Sequence, residues 1–379
     1  MLAAGAALVT TACGRTRPTG YPGYALVSVA GENSITSIDL NTFQVVRKLS
    51  LKAAPSYIAA GADRAYVLTP SNGIVHMIDP ERLAQMGAVR LSDQADLIKL
   101  TPDGKQIVAI SSGARELIVA DVSARKVVMR VRLHDAPTDF DLRPSLDGKR
   151  LYAAISSGTG QSVEMIDLKQ GDHLHRQFGA DLGSIRLRSD GELIFCANYK
   201  DQTVLVLDPA TLGTVCELQL PMRPENLVFG AGGGQLFVSG SGMDGVAIIF
   251  AFRTLEVEQT VLAGRAPGTM ACSETPPYLF VASREGSEIS VLSVGTRKVV
   301  ARTQAGENPR HITITPDQQY ALILNEASGD MAVVRIPSIG TTRPGSKPMP
   351  GFLNTSVSLF AMLPVGEKPV DAAIFTRGV

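Results

Sequence analysis

A single phrase returns along this chain at an almost fixed interval. Apolar runs suited to a strand open near Leu26, Tyr66, Val108, Tyr152, Phe195, Phe237, Phe280 and Ala321, 40 to 44 residues apart. A repeat of this length built only from strands predicts radially arranged sheets, because one such unit cannot bury its own apolar faces and must stack on the next.

Each unit repeats one internal grammar. A first apolar run, such as AYVLTP or LFVASR, leads to a polar turn. A second run often closes on Ile-Asp or Leu-Asp, and a third carries a valine-rich phrase such as VVMRVRL. A fourth ends at a turn of Pro-Asp-Gly type, as in TPDGKQIVAISS from Thr101 and its echo TPDQQYALILNE from Thr315. In that turn Pro presets φ, Asp bonds its own backbone and Gly supplies a positive φ. No convincing amphipathic helical period interrupts the series. The predicted fold is all-β: one β-propeller of four-stranded blades over residues 24–376, eight blades in number, with seven as the alternative if one end unit is irregular. Counting also predicts how the ring closes. The last segment, PVDAAIF from Pro369 to Phe375, has no group after it, and the first group has no inner strand before it. The C-terminal strand therefore completes the first blade and removes an open sheet edge. The Pro/Gly-rich stretch 337–356 reads as a loop extruded within the last repeat.

Composition narrows the function classes. Lys plus Arg (36) equals Asp plus Glu (36), so the net charge is zero, which argues against a duplex nucleic-acid binder. Aromatic residues are 5% and Trp is absent, so platforms for stacking bases or sugars are disfavoured. Residues 1–23 begin with an apolar, small-residued stretch followed by Cys13 and a polar Pro/Gly segment. The stretch reads as part of a secretory signal, and TTAC resembles a bacterial lipobox that would place a lipid on Cys13, although Thr10 stands where leucine is usual. The expectation is an exported, periplasmic or outer-envelope lipoprotein, with plain secretion or an ordinary terminus as alternatives. Its membrane contact would be made only through that anchor, since the apolar run is too short to span a bilayer. Cys196 and Cys216 fall on the first and third strands of one group, about 9.5 Å apart, beyond disulfide reach.

The phrases AYVLTPSNGIVHMID, LVLDPATLGTVCELQL and NPRHITITPD resemble the YVTN family of β-propeller repeats, which includes YncE-like bacterial proteins. The resemblance covers about residues 24–376 and implies the fold. It implies little about activity, because the family consists largely of uncharacterised repeat proteins.

Candidate chemistry follows from the register of the inner strands. Their third and fifth positions are apolar (Ile58/Ala60, Phe140/Leu142, Ile312/Ile314 and their counterparts), which turns one face toward the neighbouring blade. The second positions, Tyr57, Leu97, Asp139, Ser184, Asn226, Thr269, His311 and Asp371, then form a largely polar ring at one mouth of the axial channel. Asp96, Glu225 and Arg310 lie beside it. We read Tyr57, Asp96, Asp139, Asn226, Thr269, Arg310, His311 and Asp371 as a candidate ligand-binding set. The competing reading is a set of hydrogen bonds and ion pairs between blades, for which Lys99, Asp141 and Arg186 on consecutive blades are well placed. The pair His173/His175 lies in or beside an outer strand and reads as solvated, with no third metal ligand indicated. The Asp residues that close second strands (Asp39, Asp79, Asp121, Asp167, Asp208) recur with the repeat and read as structural.

These readings favour a non-catalytic binding or scaffold propeller, a monomer that meets an unknown protein or small molecule at the channel mouth, with no cofactor and no nucleic acid. The alternative is an enzyme or cofactor protein. A lactonase-like hydrolase would draw on Asp139, Asp371 and His311. A haem-binding propeller would need an axial ligand, His311 or His134, facing the channel.

Overall fold

Runs such as Ala65–Thr69 and Tyr320–Asn325 are buried along their whole length. That pattern belongs to a strand covered on both faces, where β-branched and aromatic side chains pack well. Outer runs such as Gln44–Ser50 are exposed at almost every position. A computed structural model describes residues 20–145, 147–339 and 359–378. Cys13 and most of the 337–356 loop lie outside them.

The described residues form eight four-stranded antiparallel sheets, arranged as the blades of a β-propeller. Blade 2 shows the unit: Ile58–Ala60 innermost, then Ala65–Thr69, Ile74–Asp79 and, outermost, Ala84–Arg90. Blades 3 to 8 follow in chain order, and blade 1 is composite. Its outer three strands are Gly23–Val29, Ser34–Asp39 and Gln44–Ser50, and its inner strand is Pro369–Thr376 from the other end of the chain. The closing pair runs from Gly23 opposite Thr376 to Val29 opposite Pro369. The eight-blade count and the C-terminal closure are therefore as expected from the repeat.

Each hydrophobic cluster lies between two blades. Phe195 and Val206 of blade 5 pack with Leu227 and Val238 of blade 6, and Phe280 and Val291 of blade 7 with Ile312 and Ile323 of blade 8. Tyr320 and Leu324 of blade 8 pack with Ala25 and Val27 of blade 1, so the seam at the chain ends is a core like the others. Phe140, Phe195, Phe237 and Phe280 are fully buried. Burying a side chain of that size stabilises by about 1.5 to 3 kcal/mol.

The recurring polar residues hold the corners. The strand-closing Asp39, Asp79, Asp121, Asp167 and Asp208 each accept a backbone N–H two or three residues on, at 2.7 to 2.9 Å. Asp103 accepts from the Thr101 hydroxyl (2.6 Å) and the Lys105 N–H (3.1 Å), and Asp317 does the same with Thr315 (2.6 Å) and Gln319 (3.1 Å). The two turns share a left-handed residue, Gly104 (φ 69°) in one and Gln318 (φ 59°) in the other.

Candidate functional site

The innermost strands carry the candidate ring, and their apolar third positions fix its direction. Ile58, Ile98, Phe140, Ile185, Leu227, Met270, Ile312 and Ala372 are all buried between blades. Alternation then turns the second positions to the opposite face of each inner strand, where Asp371, Asp139 and Asn226 reach the inner strand of the following blade.

Several ring carboxylates act as staples between blades. Asp371 of blade 1 accepts the N–H of Ile58 in blade 2 at 2.8 Å. Asp139 of blade 4 accepts the N–H of Ile185 in blade 5 at 3.2 Å and pairs with Arg186 at 2.6 Å. Asp141 accepts the N–H of Leu187 at 3.0 Å and pairs with Lys99 of blade 3 at 3.1 Å. The Lys99–Asp141–Arg186 series thus links three consecutive blades. Burial works against the charge on Asp141, but Lys99, Arg186, the Leu187 amide and Arg143 outweigh it and hold the carboxyl below its usual range. Asp371 goes the other way. Burial raises its pKa more than His311 and the Ile58 and Ala372 amides lower it.

The remaining ring members differ in what they meet. Tyr57 is 40% exposed. Its phenol is pushed up by burial first, then by Asp371 and Asp139, with Arg310 pulling the other way and Asp96 adding to the rise. One blade 2 side chain therefore lies in the field of groups from blades 1, 3, 4 and 8. His311 pairs through Nδ1 with Asp371 at 3.0 Å, while its Nε2 is buried without a hydrogen-bond partner. Arg310 reaches Glu326 at 3.4 Å, and Asn226 donates to Ser239 Oγ and the Gly268 carbonyl. Asp96 accepts the Ser112 N–H at 2.6 Å. Thr269 is partly exposed on its inner strand.

Two histidine readings need correction. His134 does not face the channel, because it follows the outer strand of blade 3, Lys126–Arg132, and meets Glu164 on the third strand of blade 4 (Nδ1 to Oε2, 3.1 Å). His173 and His175 sit on the outer strand of blade 4 but are not simply solvated. His173 Nε2 lies 2.5 Å from the same Glu164 oxygen, and His175 Nε2 lies 3.3 Å from Asp135. Two consecutive strands of blade 4 and a loop about thirty residues earlier, from the preceding blade, supply this group. The available signal was Glu164 itself, a carboxylate at a position where the other blades carry Thr36, His76, Ile118, Leu205, Ala247, Ser290 and Ala332. As for the lactonase-like set, His311 pairs with Asp371, whereas Asp139 is engaged by Arg186.

The cysteines Cys196, Cys216 and Cys272 are free thiols. Burial pushes the Cys272 thiol up to about 12.

Residues 235–350 match the family described as Lactonase, 7-bladed beta-propeller, about a third of a chain that here closes with eight blades. No curated protein matches the sequence. Among solved structures, the chain is similar to dihydro-heme d1 dehydrogenase NirN in complex with DHE, with a TM-score of 0.73 and 13% identity over 94% of this chain and 77% of that one. It is also similar to apo AztD from Citrobacter koseri, with a TM-score of 0.65 and 11% identity over 94% and 99% of the two chains. A third likeness is to a putative 6-phosphogluconolactonase from Bacteroides fragilis NCTC 9343, with a TM-score of 0.57 and 14% identity over 93% and 98%. At these identities the likeness is one of fold.

Proposed function

We propose that this protein is an exported, non-catalytic binding propeller whose channel mouth receives a small polar ligand or a polar group of a partner protein. The observation that carries this reading is the convergence at one mouth of a half-exposed phenol, two cationic or imidazole groups and three carboxylates from five blades: Tyr57, Arg310, His311, Asp96, Asp139 and Asp371. A concave site with a few convergent polar groups is the usual form of a ligand site. Asp139 and Asp371 fix its frame, while the exposed Tyr57 and Arg310 offer directional contacts to an occupant.

A structure of the protein purified without added ligand, inspected for density at this mouth, gives the first test. A thermal-shift screen of small polar compounds gives the second. The expected result is a stabilising compound whose effect is lost in Tyr57→Ala and Arg310→Ala. An empty mouth together with no compound that separates wild type from these variants would overturn the reading. Export belongs to the same proposal: an intact cell should hold the protein in its membrane fraction and release it on Cys13→Ala.

The lactonase match favours one second reading, hydrolysis of a lactone at the same mouth. Turnover of simple lactones by wild type and its loss in His311→Ala would establish it, and no turnover would dismiss it.

A further inference from the structure

Blade 4 departs from its neighbours at one place, and its departures meet. In the other seven blades the pairing of the third and outer strands slips by a residue. In blade 4 the register from Ser162 opposite Gln177 to Ile166 opposite His173 is unbroken. Alternation then sets Ser162 and Glu164 on the same sheet face as His173 and His175. The loop that leaves blade 3 brings His134 and Asp135 onto that face.

Glu164 is the centre of the group. Its side chain is 2% exposed, although no other blade needs a carboxylate there. Its Oε1 accepts the backbone N–H groups of His134 (3.0 Å) and Asp135 (3.4 Å), which fixes the carboxylate plane. Its Oε2 faces two imidazole nitrogens at once, His134 Nδ1 and His173 Nε2, and these three atoms lie within 4.8 Å of one another. A second layer holds the rings. His175 stacks on His134 with centroids 4.1 Å apart and bonds Asp135, which also accepts from Ser162 at 2.7 Å. The chain has five histidines, and three of them are here.

We propose that His134 Nδ1, His173 Nε2 and Glu164 Oε2 form a binding site for one divalent transition-metal cation of the zinc class. Two imidazoles and one carboxylate are the donor set that such cations accept, and three protein ligands leave a fourth position for water or a partner's group. Ligand atoms about 2.0 to 2.1 Å from a tetrahedral metal lie roughly 3.3 Å apart, so the observed cluster needs only small adjustments. The nitrogen that takes the metal must carry no proton, so in the bound state each imidazole holds its single proton on the nitrogen away from the ion. The exposed ring of His134 (side chain 56% exposed) gives the ion its entry path. A structural role alone does not account for the group. Replacing an apolar or hydroxyl residue with a buried carboxylate is costly, and one imidazole would satisfy the oxygen that two approach.

The test uses the full chain without an affinity tag, and Zn²⁺ as the probe, followed by calorimetry and by metal analysis after dialysis. One equivalent should bind to wild type, and Co²⁺ in its place should give visible absorption of a four-coordinate site. His134→Ala and Glu164→Gln should weaken Zn²⁺ binding by roughly 100-fold or more, and His175→Gln by about 10-fold, the low end of what second-layer partners contribute. If Glu164→Gln fails to fold, His134→Ala decides, because an exposed ring carries little of the packing. No binding by wild type up to about 100 µM Zn²⁺, far above what such a donor set requires, overturns the proposal, as does undiminished binding by His134→Ala.

Discussion

Asp371, in the last strand of the chain, accepts the backbone N–H of Ile58 at 2.8 Å across 313 residues of sequence. The bond crosses from the composite blade 1 to blade 2, so one carboxylate fastens the ring just beyond its closing strand. Asp139 and Asp141 repeat the device between blades 4 and 5, at Ile185 and Leu187. Asp371 and Asp139 thus solve the same problem from the same strand position, and Asp141 does so two residues further on: each meets an inner-strand amide at a blade junction.

The two kinds of staple should respond oppositely to pH. The pKa of Asp371 is raised by burial, so the stability linked to it is fully present below the ordinary carboxyl value and is lost as pH rises through the raised value. The pKa of Asp141 is lowered, net, by its cationic partners, so its contribution is present above the ordinary value and is lost as pH falls through the lowered one. Denaturant titrations of wild type against Asp371→Asn and Asp141→Asn, from acid to neutral pH, would measure this. The advantage of wild type over Asp371→Asn should shrink toward neutral pH, and its advantage over Asp141→Asn should shrink toward acid. Parallel trends for the two variants would contradict the assignment.

Deleting residues from Pro369 onward should abolish cooperative folding. The deletion removes the inner strand of blade 1, strips Gly23–Val29 of its partner and uncovers the seam between blades 8 and 1. The loss of the whole inner ladder, and of Ala372, Ala373 and Phe375 from the cores on both sides of blade 1, is large against the roughly 5 to 15 kcal/mol by which domains are stable. Circular dichroism and gel filtration would report an unfolded or aggregated chain. A folded monomer would show that seven complete blades suffice.

Gly104→Ala isolates a conformational cost. The residue sits at φ 69°, and a Cβ placed there would meet nothing within 4 Å. The loss should therefore be about 1 kcal/mol, the penalty of an ordinary residue in left-handed backbone, with no packing contribution. Gly104→Asn should lose less, because Asn tolerates that region. Equal losses in both variants would point to a different cause.

The repeat made the fold legible because a propeller writes its architecture many times. Eight copies of one grammar fix strand count, order and the closing strand, and an irregular copy is outvoted by the rest. The inner-strand register was legible for the same reason, since the apolar third positions from Ile58 to Ala372 leave the second positions one direction to face. What a given second-position side chain does was not legible. Asp139 and Asp371 look alike in sequence, yet one is engaged by Arg186 and the other by His311. The histidine group was hidden for the opposite reason. It is written once, in pieces at residues 134, 164 and 173, and the register of one outer hairpin together with the loop from the preceding blade brings the pieces together.

Arg186 carries the heaviest electrostatic duty at the blade 4–5 junction, and its removal should be correspondingly severe. Its guanidinium bonds Asp139 at 2.6 Å and helps to hold Asp141 ionised. Arg186→Met keeps much of the side-chain volume and leaves Asp139 without its cation, while Asp141 keeps only Lys99 and Arg143. Breaking a buried pair from one side in this way costs about 3 to 5 kcal/mol. Restoring the wild-type charge balance in the double variant Asp139→Asn, Arg186→Met, which leaves Asp141 paired with Lys99, should recover a large part of that loss, because the penalty lies in uncompensated charge rather than in lost packing. Urea denaturation of the single and double variants at neutral pH separates the two causes. If the double variant is no more stable than Arg186→Met alone, the packing of the arginine stem, not its charge, holds this junction.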